Sequence, residues 1–194
     1  LSRAEVSPDG RMLAVLASEK RVGSETVDGA VYVRGWSESE FRKLAGTEGA
    51  VLFRFSPSGS RVVCFVPDKV QLKGEVRLVP VGGGPAIKVC EFTQQGLLAP
   101  WGSGFVTDDE LLVPSQDGSG LYRVTASGGA PQLVKRFDWK GALTGVDGSP
   151  RPGGRFAVVT RWMADNTSSL HRVDLETGET SPVLEDASSA RFLE

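Results

Sequence analysis

Apolar residues recur along this chain on two registers with a period of about 45 to 50 residues. Val6, Phe55, Trp101, Val146 and Phe192 stand 49, 46, 45 and 46 residues apart, and each closes an extended segment that runs into a turn of Gly, Asp and Pro. In the second register the apolar residue of a short strand (Val31, Val76, Leu121, Leu170) is answered 13 positions later by another (Leu44, Val89, Val134, Val183). A unit of this length built from strands and turns is one blade of a β-propeller. The predicted fold is therefore all-β, with four-stranded antiparallel blades at 1–46, 47–93, 94–138 and 139–187, while 188–194 repeats the first strand of a further blade. Helical periodicity is missing throughout.

The second repeat shows the plan of a blade. Strand one is predicted at 50–55, the turn Ser56-Pro57-Ser58-Gly59 follows, and strand two runs over 61–66. Strand three is at 75–81, and Gly82-Gly83-Gly84-Pro85 leads into strand four at 87–92. Strand two is apolar throughout (Val62, Val63, Cys64, Phe65, Val66), as expected when both faces of a sheet are covered. Strand three alternates, with Val76 and Leu78 against Arg77, which fits a more peripheral strand. The third and fourth repeats carry extra residues in their first turn, at 102–109 and 147–154, and Trp101 is placed in the core at the Phe55 register.

Composition narrows the class without naming a ligand. With 22 basic and 24 acidic side chains the formal charge is −2, so there is no broad basic field to attract nucleic acid or anionic lipid. The 24 Gly and 11 Pro among 194 residues exceed an ordinary share of about 12% and signal tight turns rather than disorder, because apolar content stays at 40%. No apolar run approaches the roughly 18 residues that span a bilayer, so membrane insertion is not expected, and 1–10 has no signal-peptide layout. A start at Leu1 instead of Met is read as the mark of an excised or processed fragment. Cys64 in strand two and Cys90 in strand four are predicted one strand apart, at about 9 to 10 Å, beyond disulfide reach. Both are expected as buried thiols.

Three stretches carry a family resemblance. Ser7-Pro8-Asp9-Gly10-Arg11 followed by Met12-Leu13-Ala14-Val15, its echo from Phe55 through Ser56-Pro57-Ser58-Gly59-Ser60-Arg61, and the run from Leu121 to Gly128-Gly129-Ala130-Pro131 resemble TolB-like propeller repeats, and the likeness extends over the whole chain. Such repeats occur in TolB translocation proteins, in the outer portions of bacterial receptor-like kinases and in the gating propeller of the prolyl oligopeptidase family. The resemblance implies six or more blades, hence a native chain that continues past Glu194, and open blade edges able to self-associate. It also implies a periplasmic or extracellular setting, whereas composition suits cytoplasm and periplasm equally. The third repeat departs from the pattern by lacking Ser-Pro-x-Gly. The motif has a physical reason of its own: Pro presets φ near about −65° and Gly supplies positive φ, so the four residues form a tight reversal.

The residue patterns that could carry chemistry are absorbed by the same alignment. Gly82-Gly83-Gly84 lacks the Lys-Ser/Thr and helix N-terminus of a phosphate loop, and Gly128-Gly129 and Thr177-Gly178 occupy the same hairpin. His171, the one histidine, stands at the position of Tyr32, Arg77 and Tyr122 and reads as a blade-surface residue. Without a second histidine or a Gly-x-Ser-x-Gly elbow there is no histidine-based triad, and one His with two separated Cys is no zinc set. Asp9 lies in a turn without a calcium pattern. Asp108-Asp109-Glu110 is the densest acidic cluster, and as consecutive residues before a strand it reads as solvated charge rather than a glycosidase pair. No catalytic, cofactor or metal residue is therefore predicted.

Binding is expected at the face where strands two and three, and successive blades, are joined. The candidate loops are 20–28, 68–73, 93–95, 137–140 and 161–168. Trp139 and Trp162 are candidate anchors, with Lys140, Arg161 and Asp165 as a polar rim. The function expected is that of a noncatalytic interaction module, sensory or scaffolding, for a protein or peptide partner. The alternative is the gating propeller of a prolyl oligopeptidase family peptidase whose catalytic domain lies elsewhere.

Overall fold

The computed structural model describes residues 3–18, 29–68, 73–93, 103–115, 119–138, 143–146, 154–163 and 165–187. They form four antiparallel sheets, each a four-stranded meander in chain order. The first sheet holds β1 (Arg3–Val6), β2 (Met12–Ser18), β3 (Gly29–Gly35) and β4 (Arg42–Lys43). The second holds β5 (Leu52–Phe55), β6 (Arg61–Asp68), β7 (Lys73–Pro80) and β8 (Ile87–Thr93). β9 (Gly104–Thr107), β10 (Glu110–Pro114), β11 (Gly120–Thr125) and β12 (Gln132–Arg136) make the third. β13 (Leu143–Val146), β14 (Phe156–Trp162), β15 (Ser168–Asp174) and β16 (Thr180–Glu185) make the fourth. The first two sheets belong to one compact unit, Leu1–Glu91, and the last two to another, Phe92–Glu194.

One register runs through all four sheets. Val15 pairs with Tyr32, Cys64 with Arg77, Val113 with Tyr122 and Val159 with His171, which are the equivalences the sequence period predicts. Because alternate residues point to opposite faces, each sheet has two apolar faces. In the first unit, Ala14, Val31, Val33 and Leu44 of the earlier sheet share a buried cluster with Val62, Cys64, Val79 and Val81 of the later one. The second unit repeats the arrangement, with Leu112 and Leu121 of the earlier sheet clustered with Ala157, Val159, Val173 and Leu175 of the later one. We call the surface given by the earlier sheet its forward face and that given by the later sheet its rear face. β6 is buried on both sides, which explains its unbroken apolar run, whereas β7 buries every second residue over most of its length.

A buried serine holds the turn between the first two strands. In the first sheet the Ser7 amide donates to the Met12 carbonyl at 2.9 Å while the Met12 amide donates back to Ser7 Oγ at 2.9 Å. Ser56 and Arg61 repeat both bonds, at 2.8 and 3.2 Å, and Gly10 and Gly59 take the positive φ that closes the reversal (70° and 71°). The third sheet uses the same pair of bonds at its opposite end, between β10 and β11. There Ser115 N–H donates to Gly120 O at 2.8 Å, and Gly120 N–H donates to Ser115 Oγ at 2.7 Å. Pattern matching on Ser-Pro-x-Gly misses this turn, although Ser115, Asp117 and Gly118 have the motif's spacing.

Three expectations are corrected. Trp101 does not close strand one of the third repeat. That strand is β9, and Phe105 opposite Leu111 occupies the place that Phe55 holds opposite Val62. The extra residues therefore precede the strand, and the turn itself is only Asp108-Asp109; Trp101 lies outside the described residues, as do Phe192 and 188–194. Cys64 is buried but Cys90 only half so, because β8 is an outer strand. Burial pushes the two thiols up to about 12 and about 11, keeping both protonated and unreactive. Finally, Val134 and Val183 do not pair squarely with strand three. Each is the extra residue of a bulge, between Leu121↔Lys135 and Tyr122↔Leu133 in one sheet and between Leu170↔Leu184 and His171↔Pro182 in the other.

Removing the Ser56 hydroxyl leaves the Arg61 amide without that acceptor in a buried setting. Ser56→Ala is expected to cost about 1 to 2 kcal/mol in urea unfolding, while Ser58→Ala in the exposed part of the same turn should stay within about 0.5 kcal/mol.

Candidate functional site

The loop that joins β14 to β15 is the described part of the predicted binding face that carries named anchors. Its chain reverses through a turn in which Met163 N–H donates to Thr167 O at 2.9 Å and Asn166 N–H donates to Met163 O at 3.1 Å. Asn166 takes φ 66°, a left-handed conformation that Asn tolerates better than most residues. Asp165 fastens the turn from inside, its Oδ1 accepting from the Thr167 amide at 3.0 Å and from Thr167 Oγ1 at 2.6 Å. Those two bonds hold its carboxyl below the usual range. The predicted rim acid is thus engaged in shaping its own loop.

Arg161 and Trp162 follow one another at the end of β14 and so project from opposite faces of the sheet. Trp162 is half-buried beside the turn, in register with Leu143 and Ser168. Arg161 lies on the rear face in a row across three strands, opposite Ser169, which is in turn opposite Glu185. The structure therefore separates these two candidates. Trp139 and Lys140 lie outside the described residues.

His171 joins the Arg161 row from one register further along β15. It was expected at the blade surface, but its place opposite Val159 puts it on the rear face, where it is half-buried. Its Nε2 is 2.9 Å from Oγ of the buried Ser169. Burial lowers its pKa below the ordinary value, Glu185 opposes that shift and Arg161 adds to it. A serine, a histidine and a glutamate thus meet on one face, a grouping that the period does not reveal because its members come from two strands at unequal spacing. The Ser169 hydroxyl belongs to a buried residue and is engaged with His171, so the grouping reads as a packed polar cluster.

Other polar clusters among the described residues order turns and form ion pairs. Asp174 opens the β15–β16 hairpin, accepting from the Glu176 and Thr177 amides at 2.9 and 3.2 Å and from Arg155 Nε and Nη2, both at 2.7 Å. The Arg155 bond leads in bringing its pKa down to about 2. Asp108-Asp109 form the tight turn before β10, and Glu110 faces Arg123 at 3.8 Å. Gly83 and Gly84, like Gly128 and Gly129, take positive φ in matching hairpins, the turn role expected of them. A cavity of about 170 Å³ at the β6–β7 end of the second sheet is lined by Val66, Lys73, Glu75, Arg77 and Glu91 among others. It is smaller than the roughly 300 to 1,000 Å³ of ligand pockets, and its Glu75 is already paired with Arg77 and Lys88 at 2.8 and 3.4 Å. Among the described residues no group of three or more His, Cys, Asp or Glu could hold a metal ion.

No protein-family model matches the chain, and no curated protein matches it. Among solved structures it is similar to TolB from Acinetobacter baumannii, with TM-score 0.67 and 13% identity over 97% of this chain and 44% of that one. It is similar to the β-propeller domain of the Trilobed protease from Pyrococcus furiosus, which has an open velcro topology, with TM-score 0.58 and 14% identity over 92% and 56%. A chain of the nidogen/laminin complex gives TM-score 0.62 and 10% identity over 90% and 62%. At these identities the likeness is one of fold: this chain has the TolB-like β-propeller fold that its repeats resemble, and it spans 44 to 62% of these three chains.

The His171 cluster carries a pH dependence of definite sign. In the unfolded chain the imidazole titrates near about 6.5, and the folded protein binds that proton less readily. The contribution of neutral His171 is therefore complete above the unfolded value and is lost as pH falls toward the folded one. Urea midpoints are expected to drop between about pH 7.5 and 5, and His171→Gln is expected to flatten that part of the profile.

Proposed function

We propose that this chain is a noncatalytic interaction propeller, a sensory or scaffolding module that docks a protein or peptide partner at the loop end of its last described sheet. The observation that carries this reading is Trp162, a half-buried aromatic at the foot of a turn fixed by Asp165, Asn166 and Thr167. A large aromatic whose surroundings are already ordered binds with little further loss of conformational freedom. Trp139 and Lys140, which lie outside the described residues, stay candidate contacts by sequence alone, while Asp165 acts through the shape of the turn. Similarity in fold to a chain of the nidogen/laminin complex supports a binding role.

A second reading keeps the fold and changes the host: the gating propeller of a prolyl oligopeptidase family peptidase. Similarity in fold to the propeller domain of the Trilobed protease supports it. It requires a Gly-x-Ser-x-Gly elbow on an α/β-hydrolase segment of the same gene product, and reading that gene decides the point.

Selecting binders from a displayed peptide library and measuring them by calorimetry tests the first reading. Trp162→Ala is expected to weaken a selected binder by ~2 kcal/mol, the scale of an interface hot spot, with an unchanged circular-dichroism spectrum. Binders indifferent to Trp162, or none from repeated selections, would remove the support for this surface.

A further inference from the structure

Among the described residues of the fourth sheet, the end that carries the Trp162 loop is short of positive charge. β14 ends there, β15 begins there and β16 ends there, so Arg161, Asp165, Glu185 and Asp186 all belong to that end. Arg161 and Glu185 share the rear-face row on either side of Ser169 and act in opposite directions on the His171 imidazole, so their charges offset each other locally. Asp165 and Asp186, both exposed, are left over. Asp186 stands beside Ala187, whose amide donates to the Ser168 carbonyl at 3.1 Å, and Ser168 is the residue opposite Trp162. Arg172 does not redress the balance. It is opposite Val158, four residues before Trp162, about 13 Å along the strand at some 3.3 Å per residue. That exceeds the screening length of about 8 Å at physiological salt, and its guanidinium lies over the Phe156 ring, toward the other end of the sheet.

Asp165 is held charged and in a fixed place. Both hydrogen bonds from Thr167 fall on its Oδ1, so Oδ2 takes no part in them. They keep the carboxyl below its usual range without help from any basic side chain. The turn that fixes the anion also has the Trp162 indole at its foot, closed by the Met163 and Asn166 amides. An indole face attracts a cation, and a carboxylate gives a guanidinium or an ammonium a charge-assisted hydrogen bond. The aliphatic stem of such a side chain suits a half-buried ring. An acidic segment would instead meet Asp165 and Asp186 as like charges.

We infer that the partner of this loop is a basic peptide segment, one of whose Arg or Lys side chains lays its stem on Trp162 and its charge on the Asp165 carboxylate. Asp165 then has two roles, shaping the turn through Oδ1 and selecting the partner through its charge, while Asp186 adds to the field that draws a basic segment in. The inference rests on the reading of the Trp162 loop as a docking surface and adds the chemistry of what docks there.

Asp165→Asn separates the two roles, because the amide oxygen still accepts both bonds from Thr167 while the charge is gone. The probes are peptides selected from a displayed library on the full 194-residue chain, measured by calorimetry. Those that depend on Trp162 are expected to be enriched in Arg and Lys and to bind less tightly as salt is raised. Asp165→Asn is expected to weaken them about three- to fivefold, the upper range for an exposed charge pair, and replacing the basic residue of the peptide by norleucine should do the same to the wild type but not to the variant. Asp186→Asn, which touches no bond of the turn, should act in the same direction and less. If Asp165→Asn does not fold, the norleucine peptide and Asp186→Asn carry the test. Trp162-dependent binders that are acidic or uncharged, or basic ones indifferent to both the charge of Asp165 and the norleucine exchange, overturn the inference and leave the docking reading standing. Binders that respond to Asp165→Asn but not to Trp162→Ala, or no binders at all, overturn both.

Discussion

A four-stranded antiparallel sheet with apolar residues on both faces cannot cover itself, and everything else in this chain follows from that constraint. Burial of apolar area is the dominant favourable term available to it, so each sheet must be stacked, and stacking fixes which strands are continuous in apolar character and which alternate. It also expels polar chemistry to the ends of the strands. The acids and arginines that look reactive in the sequence sit mostly in hairpins, where Asp174 and Arg155 order a turn and Asp165 orders another. Ser169 and His171, two polar groups admitted to a stacking face, are paired with each other inside it.

Most of the architecture was legible because the repeat is redundant. Repetition of one register equates Cys64, Val15 and Val159 from the sequence alone, and their partners Arg77, Tyr32 and His171 follow directly. The third repeat misled for a physical reason. Trp101 followed by Gly-Ser-Gly has the look of a strand end and its turn, yet the strand can form anywhere that offers an alternating apolar segment to β10, and Phe105 serves that need. Ser115 was missed because the turn it closes had been assigned one place in the blade, while its hydrogen bonds require only two strands to be reversed.

The candidate site was less legible. Periodicity assigns a residue to a register but does not say whether anything covers that register: Val6 shares the register of Phe55, yet it is exposed where Phe55 is buried. Adjacent positions on a strand were grouped as one rim, although the pleat sends Arg161 and Trp162 apart. The Ser169, His171 and Glu185 grouping arises from cross-strand registers and a bulge, neither of which has a signature at fixed sequence spacing.

The bulge in the last sheet bears on how such an array can grow. β16 places Pro182, which has no amide hydrogen, next to Val183, which is out of step with β15. A strand arriving alongside would find a broken ladder of donors and acceptors. Lengthening of the last sheet sideways is thereby discouraged, and a fifth strand is disfavoured at that edge.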